Sequence, residues 1–202
     1  FADLVQRVVS RIVPQESVRK DLLSGTWLGR PLHPVLTDVV IGSWTSASAL
    51  DVWGDKRAEQ AADQLVLLGT LAALPTIAAG LSDWAELWGA QQRVGSVHAV
   101  GNATAVSLQV FSIKARRSGK RKKACLLSLT SMVIAGASAN LGGYLSFVKG
   151  VGVNQTAFED WPQEWTPVIA EHDLAEDTLT PARVNGVRIM LYKKGEQLYA
   201  LS

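Results

Sequence analysis

The chain has 202 residues, a formal net charge of +2 and only 19% charged residues, a balance that leaves no basic excess for a nucleic-acid footprint. The few charges are unevenly spread, with at most one in Pro34 to Leu50 and none in Cys125 to Val148, a distribution foreign to soluble domains. The single cysteine, Cys125, excludes an internal disulfide framework and any four-thiolate metal site within the chain.

Residues 1–26 form the first segment. Leu4, Val5, Val8, Val9, Ile12 and Val13 recur at helical spacing, with Arg7, Arg11, Arg19 and Lys20 elsewhere around the wheel, and Pro14 breaks the pattern. Two readings fit this amphipathic piece: a helix lying on a membrane surface, or one packed against a partner or the chain's own outer domain. The sequence opens at Phe1 with no Met and no cleavable signal pattern, which leaves both ends open to trimming.

Four apolar segments follow at about 34–53, 62–84, 95–113 and 124–148, each near the roughly 20 residues needed to cross a bilayer. The first opens on His33-Pro34, where proline suits a first helical turn, and ends at Asp51 and Trp53. The second contains Pro75, expected to kink it, and ends at Asp83, Trp84 and Trp88, aromatics suited to the headgroup level. The third carries His98 and Asn102 on one face and is expected to stop at Lys114, before a basic loop. The fourth carries Ala135, Ala139 and Gly143, beside Gly136 and Asn140, a small-residue seam for packing inside the bundle or between copies in a homo-oligomer.

Charge sets the orientation. Nine of the twenty Lys and Arg lie in the loops after segments 1 and 3 (Lys56, Arg57, Lys114, Arg116, Arg117, Lys120, Arg121, Lys122, Lys123), which makes that side cytoplasmic. The N-terminal tail, with five basic residues of its own, and everything after Lys149 then lie outside. His33, Asp83 and His98 come to one level near the outer face, where two histidines on neighbouring helices suit haem b or a metal ion, with Asn102 or Asp83 as supporting partner. A quinone pocket or plain structural hydrogen bonding also fits these residues. Asp38, one turn into the first segment, is expected to face the bundle interior.

The runs WLGRPLHPVLTDVVIGSWTSASALD, AADQLVLLGTLAALPTIAAGLSDW, VGSVHAVGN and LGGYLSFVKGVGV resemble the DUF2231 family of predicted four-helix bacterial membrane proteins over residues 27–153. The resemblance implies a four-helix transmembrane domain in the bacterial inner membrane and marks His33, Asp83, His98 and Asn102 without assigning them a role. Residues 154–202 turn polar, with β-type patches at 166–170, 182–184, 188–192 and 197–201, and two hairpins at Asn185-Gly186 and Lys194-Gly195. The run from Trp165 to Ser202 resembles the opening strands of a Rieske ferredoxin domain. That resemblance implies a [2Fe–2S] cluster whose Cys-x-His and Cys-x-x-His ligands lie past Ser202, because this segment has no cysteine and its one histidine, His172, sits in an acidic turn.

The sequence therefore predicts a mainly α, transmembrane chain: a four-helix membrane bundle with a small C-terminal antiparallel β segment, the start of a Rieske-like domain. Two function classes follow. One is a membrane-anchored Rieske-type electron carrier with an extracytoplasmic cluster domain, a redox partner protein and a path extended by haem at His33 and His98. The other is a cluster-free accessory subunit of a larger respiratory or photosynthetic complex. No nucleophile triad, paired-carboxylate site or phosphate loop points to a stand-alone enzyme.

Overall fold

The computed structural model describes residues 2–154 and 156–201, apart from the side chain of Asp3; Phe1, Gln155 and Ser202, the first and last of which bound the sequence reading, lie outside the described residues. The chain divides into two compact units, Phe1–Gly152 and Val153–Ser202.

The first unit is helical. Helix α1 (Ala2–Ile12) ends two residues before Pro14. Helix α2 (Val18–Ser24) is capped by Ser17, whose side chain accepts from the Lys20 amide, and closes on Gly25 in the left-handed conformation that glycine adopts without strain. Four long helices follow: α3 (Leu32–Trp53), α4 (Glu59–Trp84), α5 (Gly89–Arg117) and α6 (Arg121–Phe147). Helix α3 packs on α4 and α5 on α6 as hairpins, joined through α4 against α5 and α3 against α6. The third expected segment extends past Lys114: α5 runs on to Arg117, leaving only 118–120 as the turn. Helix α4 continues through Pro75, which removes one backbone N–H from the ladder.

The side-chain distribution is inverted relative to a soluble bundle. Buried positions are small, among them Ala47, Ala62, Gly69, Ala73, Ala105 and Ala135, while Leu68, Leu71, Leu74, Leu126 and Val133 point outward. Small residues let backbones approach closely, and outward leucines need an apolar solvent. Helices α4 and α6 are long and apolar enough to cross a membrane, and only 39% and 28% of their most apolar windows is buried.

Three expectations about inward and outward residues need correcting. Asp38 is exposed, because Thr37 and Val40 occupy the inward stripe of α3 and Asp38 lies off it. Trp84 is buried, donating from Nε1 to the Gln92 carbonyl at 3.1 Å with its ring against Gly95, so headgroup-level aromatics are left to Trp53 and Trp88, 84% and 76% exposed. Lys20, assigned by spacing to the polar rim, is buried: its ammonium donates to the Ser82 carbonyl (3.1 Å) and hydroxyl (3.2 Å) and pairs with Glu86 at 2.5 Å.

The second unit holds a three-stranded antiparallel meander, β1 (Leu179–Val184), β2 (Val187–Lys194) and β3 (Gln197–Leu201), in the order β1-β2-β3. Both hairpins fall where the turn residues put them; Asn185 and Gly186 take the positive φ angles of 50° and 89° that a tight two-residue turn demands. Pro181 is tolerated because β1 is an edge strand. The patch at 166–170 forms no strand.

Candidate functional site

The helices bring two of the marked residues together. His33 opens α3 and His98 lies in the third turn of α5, and their ring centres stand 6.3 Å apart with planes at 82°. Each ring is bolted to the second helix of its own hairpin. His33 Nδ1 lies 2.9 Å from the Thr76 carbonyl of α4, and His98 Nδ1 lies 2.7 Å from the Ser138 carbonyl of α6. A carbonyl only accepts, so both histidines carry a proton on Nδ1, and in the neutral form each presents Nε2 as an acceptor. Ser138 returns a bond from Oγ to the His98 carbonyl at 2.8 Å.

Two glycines make this close approach feasible. A Cβ at Gly80 would sit 2.8 Å from the His33 ring, and one at Gly142 would sit 3.1 Å from the His98 ring. The small residues nearest His98 along α5 itself make other contacts. Gly95 packs on Trp84 and Gly101 on Ser138, while Ala105 belongs to the core. Asn102 does reach the site, its Nδ2 3.0 Å from His98 Nε2, whereas Asp83 has Lys20 as its charge partner and bonds to neither histidine.

This donor set suits a centre that asks two imidazole nitrogens of the protein. His33 and His98 are the residues that would hold such a centre, each through its Nε2. Backbone carbonyls on Nδ1 are the usual means of fixing the tautomer and orientation of such ligands. The set does not suit an ion needing three or more protein ligands, for no such cluster of His, Cys, Asp or Glu gathers among the described residues. His33 Nε2 has no hydrogen-bond partner among the described residues, and ligation by His98 requires only that the Asn102 amide turn away.

A second polar cluster, not foreseen from the sequence, lies at the other end of the same helices. Asp51 of α3, Asp63 of α4, Arg116 of α5 and Arg121 of α6 form a closed quartet. Arg116 grips both oxygens of Asp51 and bonds Asp63 at 2.7 Å, with Nε on the Ser112 hydroxyl at 3.2 Å; Arg121 bonds the same two carboxylates. The side chains of Asp51 and Arg116 are 1% and 3% exposed, so these charges are stable only as a set. Reading Arg116 and Arg121 simply as loop cations had hidden it.

Small residues within, large apolar residues without and polar side chains paired at both helix ends define a helical membrane protein. The chain belongs to the DUF2231 family of predicted membrane proteins, whose family model matches residues 29–155. No curated protein and no solved structure matches it.

Proposed function

We propose that this chain is the membrane part of an electron-transfer protein: a four-helix transmembrane bundle in the bacterial inner membrane that anchors an extracytoplasmic β domain. The observation that carries this reading is the histidine pair, two imidazoles fixed through Nδ1, with Nε2 of His33 unpartnered among the described residues and Nε2 of His98 held by the Asn102 amide alone. A haem b bound there would supply a one-electron centre. The protein's own work is to hold both rings, to keep both Nδ1 protons on carbonyls and to withdraw the Asn102 amide from His98.

The orientation rests on the seven basic residues outside the quartet at the turns after α3 and α5, which favour the cytoplasm. The histidine end then faces outward, on the side where the C-terminal unit would be exported. The hairpins of residues 179–201 agree with the opening strands that the Rieske resemblance implies, and a cluster there would draw its ligands from residues other than 154–202.

A second reading, a structural subunit of a larger membrane complex, draws support from the Asn102 bond that satisfies His98 and from the self-contained quartet. Low-temperature EPR of the protein purified from its own membranes separates the two. The electron-transfer reading expects a reduced [2Fe–2S] signal; a sample silent in both oxidation states would leave the structural reading standing.

A further inference from the structure

The two hairpins carry one pattern twice. The inward residues of α3 are His33, Thr37, Val40, Trp44, Ala47 and Asp51, and those of α5, each 65 positions later, are His98, Asn102, Ala105, Gln109, Ser112 and Arg116. Those of α4 are Ala62, Val66, Gly69, Ala73, Thr76 and Gly80, and those of α6, each 62 positions later, are Ala124, Ser128, Ser131, Ala135, Ser138 and Gly142. All four sets follow the alternating steps of four and three that mark a helix seam.

Contacts repeat as faithfully as numbering. His33 binds the carbonyl of Thr76 and rests on Gly80, four residues on; His98 binds the carbonyl of Ser138 and rests on Gly142, again four residues on. Burial repeats too: Val40, Trp44 and Ala47 of α3 are buried like Ala105, Gln109 and Ser112 of α5, and Val66, Gly69, Ala73 and Thr76 of α4 like Ser128, Ser131, Ala135 and Ser138 of α6. The hairpins run in the same direction and α4 packs on α5 as α6 packs on α3, the pattern expected of a two-fold rotation about an axis along the helices, as in parallel-repeat membrane proteins.

Equivalent positions of α3 and α5 meet across that axis at both ends. At one end the pair is Asp51 and Arg116, complementary and bonded to each other. At the other it is His33 and His98, identical, in the same tautomer, each with Nδ1 committed to its own hairpin. Two acceptor nitrogens cannot bond one another; they can share a third group that accepts electron pairs.

We propose that His33 and His98 are the two halves of a single site on the repeat axis, which binds one metal centre that takes one imidazole nitrogen from each repeat and needs no other protein ligand. Such a centre is a two-coordinate cuprous ion or a haem iron that brings its own equatorial nitrogens. Binding forms two Nε2–metal bonds and breaks the Asn102 to His98 hydrogen bond; both Nδ1 protons stay in place. This deepens the electron-transfer reading only in its metal-site part and is independent of the iron–sulfur domain.

The test titrates purified protein in detergent or nanodiscs with cuprous ion against a chromophoric chelator and, separately, with ferric haem b followed by its Soret band. One of the two probes is expected to bind at one equivalent per chain. His33→Gln and His98→Gln, checked for unchanged elution and thermal unfolding, are each expected to weaken it by more than about 100-fold, beyond the usual cost of a supporting-residue change, while Asp38→Asn leaves it unchanged. Retention of tight binding in either single histidine variant would show separate structural histidines and overturn the proposal, as would failure of both probes to bind. Loss of binding in Asp38→Asn would also overturn it, because the ligand would then not be seated on the axis.

Discussion

The two ends of the helical unit solve one problem in opposite ways. Each end brings equivalent positions of α3 and α5 face to face, yet one pair is Asp51 with Arg116 and the other His33 with His98. The complementary pair is complete in itself: with Asp63 and Arg121 it balances two negative and two positive charges. The identical pair is fixed through Nδ1 by Thr76 and Ser138; the Nε2 of His98 takes only the Asn102 amide, and that of His33 has no partner among the described residues. A self-satisfying cluster is what one expects of a clamp, and an unfinished one of a site.

The comparison is broken most forcefully at the charged end. Arg116→Leu leaves the Asp51 carboxylate buried without its main partner and should cost about 3–5 kcal/mol. Asp51→Leu combined with Arg116→Leu should cost clearly less than the two single changes together, read as a thermodynamic cycle from unfolding in detergent. Additive losses would mean that the quartet is not a coupled unit.

The histidine end should respond more mildly. Gly80→Ala places a methyl carbon where the structure allows 2.8 Å to the His33 ring, an overpacking penalty of about 1–3 kcal/mol. Gly142→Ala meets His98 at 3.1 Å and should cost less. The same melting experiment ranks them, and a larger loss at Gly142 would contradict the contacts described.

A sharper view of the ends comes from accessibility. Ser118 lies in the short turn beside the quartet, so a cysteine placed there should react with an impermeant thiol reagent only after the membrane is opened. Labelling in intact cells would invert the orientation and put the histidine end in the cytoplasm.

The smallest expected effect lies in the C-terminal unit. Tyr192 donates its hydroxyl to Asp177 at 2.9 Å, and this bond, with the neighbouring negative charge, holds the phenol above its ordinary value. The neutral phenol is the favoured form, so this contribution to stability is present below about pH 10, the ordinary phenol value, and is lost as pH rises through the elevated one. In Asp177→Asn the tyrosinate absorbance should appear at lower pH than in the parent.

Much of this was legible in the sequence because hydrophobic runs and turn residues act locally. The long helices, both hairpin turns and the marked histidines all follow from short-range patterns. Hydropathy alone understates α5, whose His98, Asn102, Gln109 and Ser112 face α6 and the axis instead of lipid. Asp38 was misplaced because spacing says that a charge in an apolar run should turn inward, while the seam through Thr37 and Val40 decides which residues do. Thr76, Ser138, Gly80 and Gly142 carry no chemical signature of their own; the 65- and 62-residue repeat was the one signal that pointed to them. The quartet was hidden for a different reason, since Arg116 reads as a topology signal until the carboxylates opposite it are known.

The difference between the two ends is tested most directly by solid-state nitrogen NMR of the metal-free protein in lipid, with the histidine and arginine side chains labelled. Both histidines should carry their proton on Nδ1, and adding the proposed metal centre should shift both Nε2 resonances together while the Arg116 guanidinium signals stay where they were. A histidine protonated on Nε2, or a shift confined to one of the two rings, would contradict the account.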